Sequence, residues 1–344
     1  MHLELVRNTN NFNELESEWN DLLTCCSASH VPFLRHEFLF AWWRTLGGGE
    51  WGHGELNILT ARDDDDQLIA IGPLFLTENH EGIPALMFIG SIEISDYLDL
   101  IVAPSEISQF VENLLDFLDA DRSIQWQVLD LYNIPEDSPT LPALKSEARQ
   151  RGWEYKQEQL QPCPYIPLPG DWEAYLAAIN KKQRHEIRRK IRRAESHPDP
   201  VRWYIVEDEN TLEAETEAFL TLMSQDPEKE HFLTDVMRSQ MHDIIQAAFR
   251  AGWLQLAFLE VAGKKAAGYL NFDFAGHIWL YNSGINLEFR ELSPGWVLLS
   301  YTLKWANENK REVLDFMRGD EAYKYRFGGI NRFVVRATVR RKSP

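Results

Sequence analysis

The chain has 344 residues, 44% of them hydrophobic and 26% charged, with a formal net charge of −18. This composition is typical of a globular protein, and the length favours two domains of roughly 150 residues each. The acidic balance disfavours general nucleic-acid binding, and no run of about eighteen apolar residues predicts a membrane span. The start lacks the pattern of a signal peptide, so we expect a cytoplasmic protein. Its three cysteines lack the spacing of disulfide frameworks or zinc sites, so no metal is expected.

The first half alternates between strand and helix patterns in chain order. Strands are predicted at "HLELVRN", at the hairpin "ELNILTAR" and "QLIAIGPLFLTE" around "DDDD", and at "ALMFIG", "YLDLIV", "QVLDLYNIP" and "WEYKQEQ". Helices are predicted at "NNFNELESEWNDLLTCC" and "HEFLFAWWRTLGGG", over the apolar face from Ile107 to Leu118, and between Ser138 and Gly152. This half, residues 1–161, is predicted to form one domain.

Four prolines in eight positions, Pro162 to Pro169, mark the predicted boundary. Proline neither continues a helix nor donates to a strand ladder, so residues 162–170 are predicted to be an extended crossing segment. Residues 171–344 form the predicted second domain. It begins with one long helix from Trp172 into a basic stretch, and "RFVVRATVRR" closes it as a strand.

Between these ends, the second half mixes helices with runs of antiparallel-type strands. Strands are predicted at "VRWYIVED", "WLQLAFLEVAG", "KKAAGYLNFDFAG", "HIWLYNSGIN" and "EVLDFMRG", and helices at "TLEAETEAFLTLMSQD", "TDVMRSQMHDIIQAAFRAG" and from Ser293. This order predicts an α+β fold, in which each half is a mixed, mostly antiparallel sheet flanked by helices.

The stretch "NKKQRHEIRRKIRRAE" concentrates positive charge in this acidic protein, with eight Lys or Arg and two Glu. Like charges on one helix face repel by a few tenths of a kcal/mol per pair, so an anionic partner is favoured over a purely solvated face. Arg184 and Arg188 share a helix face and are candidates to hold phosphates or carboxylates. A solvated face that pairs with acidic neighbours is the alternative.

Three further segments carry candidate site residues. In "RELSPGWV", a helix start at Pro294 and Gly295 would present main-chain N–H groups to an anion, with simple capping as the alternative. In "SDYLDLIV", Asp96 is a candidate general base, and turn capping is the alternative. The stretch "DFMRGDEAYKYRFG" follows a buried strand, so its side chains are expected to line a cleft or to form a salt-bridge network. Its candidates are Asp315, Arg318, Asp320, Tyr323 and Lys324.

Together, "KKQRHEIRRKIRRAE", "YNSGIN…LSPGWVLLSYTLKWA" and "LDFMRGDEAYKYRFG" resemble GNAT-type acyltransferases grouped as CelD/BcsL-like proteins, which are associated with cellulose and exopolysaccharide biosynthesis. These resemble in turn the Fem-type peptidyltransferases, which carry two GNAT domains in tandem. The resemblance therefore implies two tandem GNAT-like domains. It also implies N- or O-acyl transfer to a sugar, polysaccharide or peptidoglycan-like acceptor of the cell envelope.

The resemblance also implies site roles. Lys324 matches the catalytic Lys of an aromatic-Lys motif, and Asp96 matches an acid of the first domain. The implied donor- or anion-binding residues are Lys181, Arg184, Arg188, Arg290, Pro294, Gly295 and Arg318. The implied substrate-positioning residues are Tyr281, Asn282, Asp315, Asp320 and Tyr323.

The donor implied by the resemblance is acyl-coenzyme A, used as a co-substrate without any bound cofactor. The segment "RELSPGWV" lacks the glycine-rich loop of many coenzyme A-dependent relatives, so a charged tRNA is the alternative donor. A non-catalytic sensor with the same fold is a further alternative. No Ser-His-Asp or Cys-His order is apparent, so direct attack is expected without a covalent acyl-enzyme.

Overall fold

The computed structural model describes residues 1–341. They form two compact units, Met1–Gln161 together with the segment from Arg332, and Pro162–Asn331. None of the helices in the described residues is long and apolar enough to cross a membrane.

The elements of the first half follow the predicted alternation. The strands are β1 (His2–Val6), β2 (Glu55–Leu56), β3 (Ile58–Arg62), β4 (Leu68–Gly72), β5 (Leu74–Glu78), β6 (Pro84–Phe88), β7 (Ile101–Val102), β8 (Val128–Pro135) and β9 (Glu154–Pro167). The helices are α1 (Thr9–Glu14), α2 (Glu16–Leu23), α3 (His36–Thr45), α4 (Ile107–Ala120) and α5 (Thr140–Gln150), with a 3₁₀ turn at Pro32–Leu34.

The second half has more helix than the first. Its helices are α6 (Trp172–Ala178), α7 (Lys181–Glu195), α8 (Glu209–Met223), α9 (Pro227–Phe232), α10 (Asp235–Arg250), α11 (Pro294–Glu308) and α12 (Ala322–Arg326), with a 3₁₀ segment at Leu287–Leu292. Its strands are β10 (Val201–Ile205), β11 (Leu254–Val261), β12 (Lys264–Phe274), β13 (His277–Ile285), β14 (Val313–Asp315) and β15 (Ile330–Arg340).

The first unit contains two runs of paired strands. One sheet has the order β1-β3-β4-β7 with antiparallel neighbours, and Trp19 and Trp42 are fully buried core residues of this unit. The other run is β2-β5-β6-β8-β15, in which only the β6–β8 pair is parallel. Mixed, mainly antiparallel sheets flanked by helices confirm the predicted fold class for this unit.

In the second unit, β10 to β13 are antiparallel neighbours, β13 pairs with β14 in parallel, and β14 pairs with the end of β9. Helices cover both faces of this sheet. Ala267 and Tyr269 of β12 belong to the apolar core that α11 helps to form, whereas a side chain at Gly268 would meet Phe219 of α8. Because successive strand residues point to opposite faces, α8 and α11 lie on opposite faces.

Two of the differences from the sequence-based expectations concern the ends of the second half. The predicted long helix is interrupted between α6 and α7, because the Asn180 side chain accepts a hydrogen bond from the Lys182 N–H and begins a new helix. The last strand, expected in the second half's sheet, pairs with β8 of the first unit. This pairing joins segments about two hundred residues apart, which no local pattern encodes.

Candidate active site

The parallel strands β13 and β14 are hydrogen-bonded over only part of their course. Pairing joins His277–Trp279 to Val313–Asp315, while β13 continues beyond Trp279 to Ile285. On its other edge, β13 carries a bulge against β12, because Leu270 pairs with Asn282 and Asn271 with Leu280. Tyr281 therefore stands outside the ladder. We call this region beyond the last paired residues the β13–β14 opening.

Helix α11 begins at one side of this opening. Its first residue is Pro294, Ser293 has left-handed backbone geometry with φ of 53°, and no side chain caps the first turn. A helix N-terminus without a cap leaves donors and a positive dipole end for an anion. A Cβ on Gly295 would lie 2.8 Å from Cδ1 of Ile285, so glycine permits the close approach of α11 to β13.

A lysine from the basic helix α7 meets this helix start. Lys190 Nζ donates a 2.6 Å hydrogen bond to Ser293 Oγ and lies 5.0 Å from the Trp296 ring centroid. Its ion pair with Glu186, at 3.6 Å, is shared, because the same carboxylate also pairs with Arg189 at 2.7 Å. Burial lowers the pKa of Lys190 from its ordinary value. An ammonium and a helix dipole thus converge at one place, and sequence analysis had not singled out Lys190.

The predicted catalytic lysine is an anchor in this structure. Lys324 is 2% exposed, and its Nζ donates to the carbonyl oxygens of Met317, Arg318 and Gly319 at 3.1, 2.7 and 3.1 Å. The same nitrogen lies 2.9 Å from Glu321 Oε2. These contacts use the directions in which an ammonium can donate, so Lys324 holds the segment after β14 in place. Its catalytic role stays a prediction.

The segment that Lys324 holds is a tight turn. Asp315, fully buried at the end of β14, accepts a 2.7 Å hydrogen bond from the Met317 N–H, and Met317 has φ of 61°. Arg318 is partly exposed and Asp320 exposed. Tyr323 packs edge-on against Phe316 at 5.8 Å, and its burial raises the pKa of its hydroxyl.

The predicted anion-binding residues of α7 have protein partners in two cases. Arg184 Nη1 donates to the carbonyls of Leu176 and Ala177 at 3.2 and 3.3 Å, which satisfies the end of α6. Arg188 forms an ion pair with Glu173. Lys181, the first residue of α7, is exposed, as is Arg290 in the 3₁₀ segment. Of the predicted anion-binding set, Gly295 lies against Ile285 of β13 at the opening.

Asn282, a predicted positioning residue, contacts a lysine that the sequence had not indicated. Lys229 of α9 donates to Asn282 Oδ1 at 3.0 Å, and to Ser283 O and Oγ at 2.5 and 3.3 Å. The surrounding "DPEKEHF" is dominated by acids, so no local signal marks this lysine. Tyr281, the other predicted positioning residue on β13, packs against Phe272 with ring centroids 5.1 Å apart.

The predicted acid of the first unit, Asp96, is buried before β7. Its neighbour Asp99 accepts 2.5 Å hydrogen bonds from the Ser138 and Thr140 hydroxyls. Burial raises the pKa of Asp99 to about 6. Asp96 and Lys324 belong to different units, and their joint action in catalysis stays a prediction.

One group in the described residues has the composition of a metal site, namely Glu213, Glu217 and His242 on α8 and α10. His242 faces Glu217 with Nε2 at 2.7 Å and Glu213 with Nδ1 at 3.6 Å. On this exposed surface, the hydrogen bond between His242 Nε2 and Glu217 accounts for the close approach of these side chains.

Comparison with known proteins identifies part of the chain. Residues 181–325 match the family model described as an acetyltransferase (GNAT) domain. The fold is similar to the crystal structure of FemX, with a TM-score of 0.66 and 11% identity over 98% of this chain and 97% of that chain. It is also similar to the C-terminal domain of a putative lysylphosphatidylglycerol synthetase from Agrobacterium fabrum, with a TM-score of 0.56 and 12% identity over 97% and 93%. No curated protein matches the sequence.

The segment that matches the GNAT acetyltransferase family model includes α7, the β13–β14 opening, α11 and Lys324. This confirms the prediction of an acyltransferase at the level of the superfamily. The narrower resemblance to CelD/BcsL-like proteins stays a prediction.

Proposed function

We propose that the protein transfers an acyl group from acyl-coenzyme A to an amine or hydroxyl of a sugar, polysaccharide or other cell-envelope precursor, and that the reaction takes place at the β13–β14 opening. The observation that carries this proposal is the convergence of the Lys190 ammonium on the uncapped start of α11. Phosphate groups bind well where main-chain N–H donors, a helix dipole and a cation meet.

The opening suits the rest of such a donor. An extended chain leaving the phosphates can follow β13 beyond Trp279, its last residue paired with β14, and form main-chain hydrogen bonds with it, as an added strand would. The bulge at Tyr281 places main-chain groups beyond the regular ladder, where they can face the acyl carbonyl. The acyl carbon would then lie beside Asn282 and Tyr281.

Direct transfer requires a neutral nucleophile, an aligned carbonyl and donors for the developing oxyanion. The turn held by Lys324 borders the place where the strands separate, so we assign Lys324 the role of fixing that wall of the site. In this proposal Asp96 takes the acceptor's proton or orients the acceptor.

A second candidate donor is an aminoacyl-tRNA. It is favoured by the eight Lys and Arg residues in residues 180–195, which suit a polyanion in an otherwise acidic chain. Salt-dependent tRNA binding without coenzyme A binding would favour this donor.

The test is calorimetric and thermal-shift titration of the purified chain with coenzyme A and acetyl-coenzyme A. We expect saturable binding that stabilises the protein by about 2.7 kcal/mol at a hundredfold excess over Kd. Lys190→Met should raise Kd about tenfold to hundredfold, the range for a hydrogen bond to a charged group. The control is Lys304→Met, an exposed lysine of α11 that pairs only loosely with Glu308, at 3.8 Å. Absence of binding at millimolar ligand, or equal binding by Lys190→Met, would reject the proposed donor site.

A further inference from the structure

A cavity of the second unit, distinct from the start of α11, lies at the C-terminal end of β13. It has a volume of about 280 Å³ and lies between the end of α8, the start of α9 and Ser283–Leu287. This is close to the lower limit of roughly 300–1,000 Å³ for small-molecule sites. A Cβ on Gly284 would lie 2.6 Å from main-chain atoms of Leu222 and Met223, so α8 packs tightly against β13 here. The side of the cavity formed by α8 and β13 is therefore tightly packed.

Its charged lining residues are Lys229, which is partly buried, and Asp226, whose Oδ1 accepts hydrogen bonds from the main-chain N–H groups of Glu228 and Lys229. All three hydrogen bonds of the Lys229 ammonium go to uncharged oxygens, on Asn282 and Ser283. Across residues 1–341, no carboxylate lies within the 4.0 Å ion-pair distance of this nitrogen, and Asp226 and Glu321 act on it only from farther away. A partly buried cation without an adjacent counter-charge stabilises an anion that enters beside it.

The remaining wall is apolar and partly open to solvent. Ile285 and Leu287 are 38% and 63% exposed, and they are two of the five large hydrophobic residues exposed among the described residues. Leu222 and Met223, which are buried, complete this wall. A ligand that covers these side chains gains the free energy of removing apolar surface from water.

The cavity adjoins the reaction site. Ile285 contacts the Gly295 position at the start of α11, and the oxygen that Lys229 contacts on Asn282 follows directly after the bulged Tyr281. A molecule in the cavity thus lies next to the path that the donor is expected to take.

We propose that this cavity binds a small carboxylate with a short apolar chain, its carboxylate accepting the Lys229 N–H that otherwise makes the 3.3 Å hydrogen bond to Ser283 Oγ, and its chain against Leu222, Ile285 and Leu287. The inference rests on the proposed acyl transfer for its meaning, since the bound group is a part of the acceptor or of the acyl group.

The first experiment measures binding without any acyl donor. Hexanoate is compared with hexanamide, which lacks the charge, and with acetate, which lacks the chain. We expect hexanoate to bind the wild-type chain at least about tenfold more tightly than hexanamide, since a hydrogen bond with a charged partner outweighs a neutral one by about that factor. We expect at least the same factor over acetate, since the longer chain removes more apolar surface from water. Lys229→Met should bind hexanoate and hexanamide equally, Lys229→Arg should keep the preference, and Lys304→Met should behave as wild type.

The ratio of the two affinities separates ligand binding from a structural role. If Lys229 only ties α9 to β13, Lys229→Met lowers the melting temperature and leaves the hexanoate-to-hexanamide ratio unchanged, which overturns the proposal. Leu287→Ser, a change at an exposed position, should reduce the preference for hexanoate over acetate. Failure of every carboxylate to bind at tens of millimolar would also overturn it, whatever the titration with coenzyme A shows.

A pair of thioesters identifies the source of the carboxylate. If it belongs to the acyl group, succinyl-coenzyme A should bind more tightly than butyryl-coenzyme A, and Lys229→Met should abolish the difference. If it belongs to the acceptor, the two thioesters should bind equally, and hexanoate should still bind in the presence of saturating acetyl-coenzyme A. The titration of Lys190→Met with coenzyme A tests the donor site separately.

Discussion

Replacing Lys324 with methionine is expected to lower the stability of the second unit, Pro162–Asn331, with little direct effect on the rate of acyl transfer. Methionine keeps the length and apolar stem but leaves the carbonyls of Met317, Arg318 and Gly319 without their donor. Each of these hydrogen bonds has a charged donor and contributes about 1.5–3 kcal/mol, while removal of the buried ammonium recovers part of its desolvation cost.

The net loss should be about 3–4 kcal/mol, the lower part of the range for breaking a buried charged pair. The contact with Glu321 adds little, because that carboxylate is 58% exposed and surface ion pairs contribute about 0–1 kcal/mol. For a unit of this size, each kcal/mol lowers the melting temperature by roughly 2–4 °C. Lys324→Met should therefore melt about 6–16 °C lower than wild type.

Differential scanning calorimetry measures this shift and also reports whether the two units melt together or separately. Glu321→Gln is the matched control, since it removes the exposed charge and keeps all three carbonyl contacts, and it should shift melting by only a few degrees. Suppose that Lys324→Met melts within about 2 °C of wild type while kcat/KM falls 100- to 1,000-fold, as loss of an oxyanion contact would cause. Lys324 would then act on the reacting atoms, and the anchoring argument would be wrong.

Two further changes test the packing and the electrostatics of the units. Gly284→Ala should cost about 3 kcal/mol or more in urea unfolding, because its methyl would lie 2.6 Å from main-chain atoms of Leu222 and Met223, whereas Gly52→Ala has open space and should be neutral. Asp99, with a pKa raised by burial to about 6 from 3.8, binds its proton more tightly when folded. Its contribution to stability is present below about pH 3.8 and is lost as pH rises through about 6, by at most about 3 kcal/mol. Asp99→Asn should flatten the pH dependence of the unfolding free energy across that window, and curves parallel to wild type would contradict this.

Local patterns were sufficient for the fold class. Alternating and 3.6-residue periods distinguished strands from helices, and runs of antiparallel-type strands between helices indicated an α+β architecture. The interruption at Asn180 was missed because the apolar positions continue across it, although Asn is a strong helix-capping residue. The pairing of β15 with β8 could not be predicted, since strands about two hundred residues apart show no local sequence pattern that identifies them as partners.

The candidate site was predicted only in part, because some of its residues are brought together by tertiary contacts that leave no local sequence pattern. Ser293–Pro294–Gly295 indicated a helix start suited to an anion, and the structure gives α11 that start beside the β13–β14 opening. Lys190 stood among eight basic residues, and only the packing of α7 against α11 distinguishes it. A sequence shows which cations are present, whereas their partners depend on tertiary contacts.

Three lysines of the second unit differ in their hydrogen-bond and ion-pair partners, and these partners indicate whether each lysine stabilises the fold or binds a ligand. Lys324 donates to three carbonyls and lies beside a carboxylate, so its ammonium is already paired within the protein. Its removal should therefore lower the stability of the fold. Lys190 has one hydroxyl and a shared carboxylate, and Lys229 has only uncharged oxygens. The less counter-charge a shielded ammonium has within the protein, the more an incoming anion gains by approaching it. Substitution of Lys190 or Lys229 should therefore reduce ligand affinity more than it reduces the free energy of unfolding. For Lys324 we expect the opposite, a larger loss of stability than of ligand affinity.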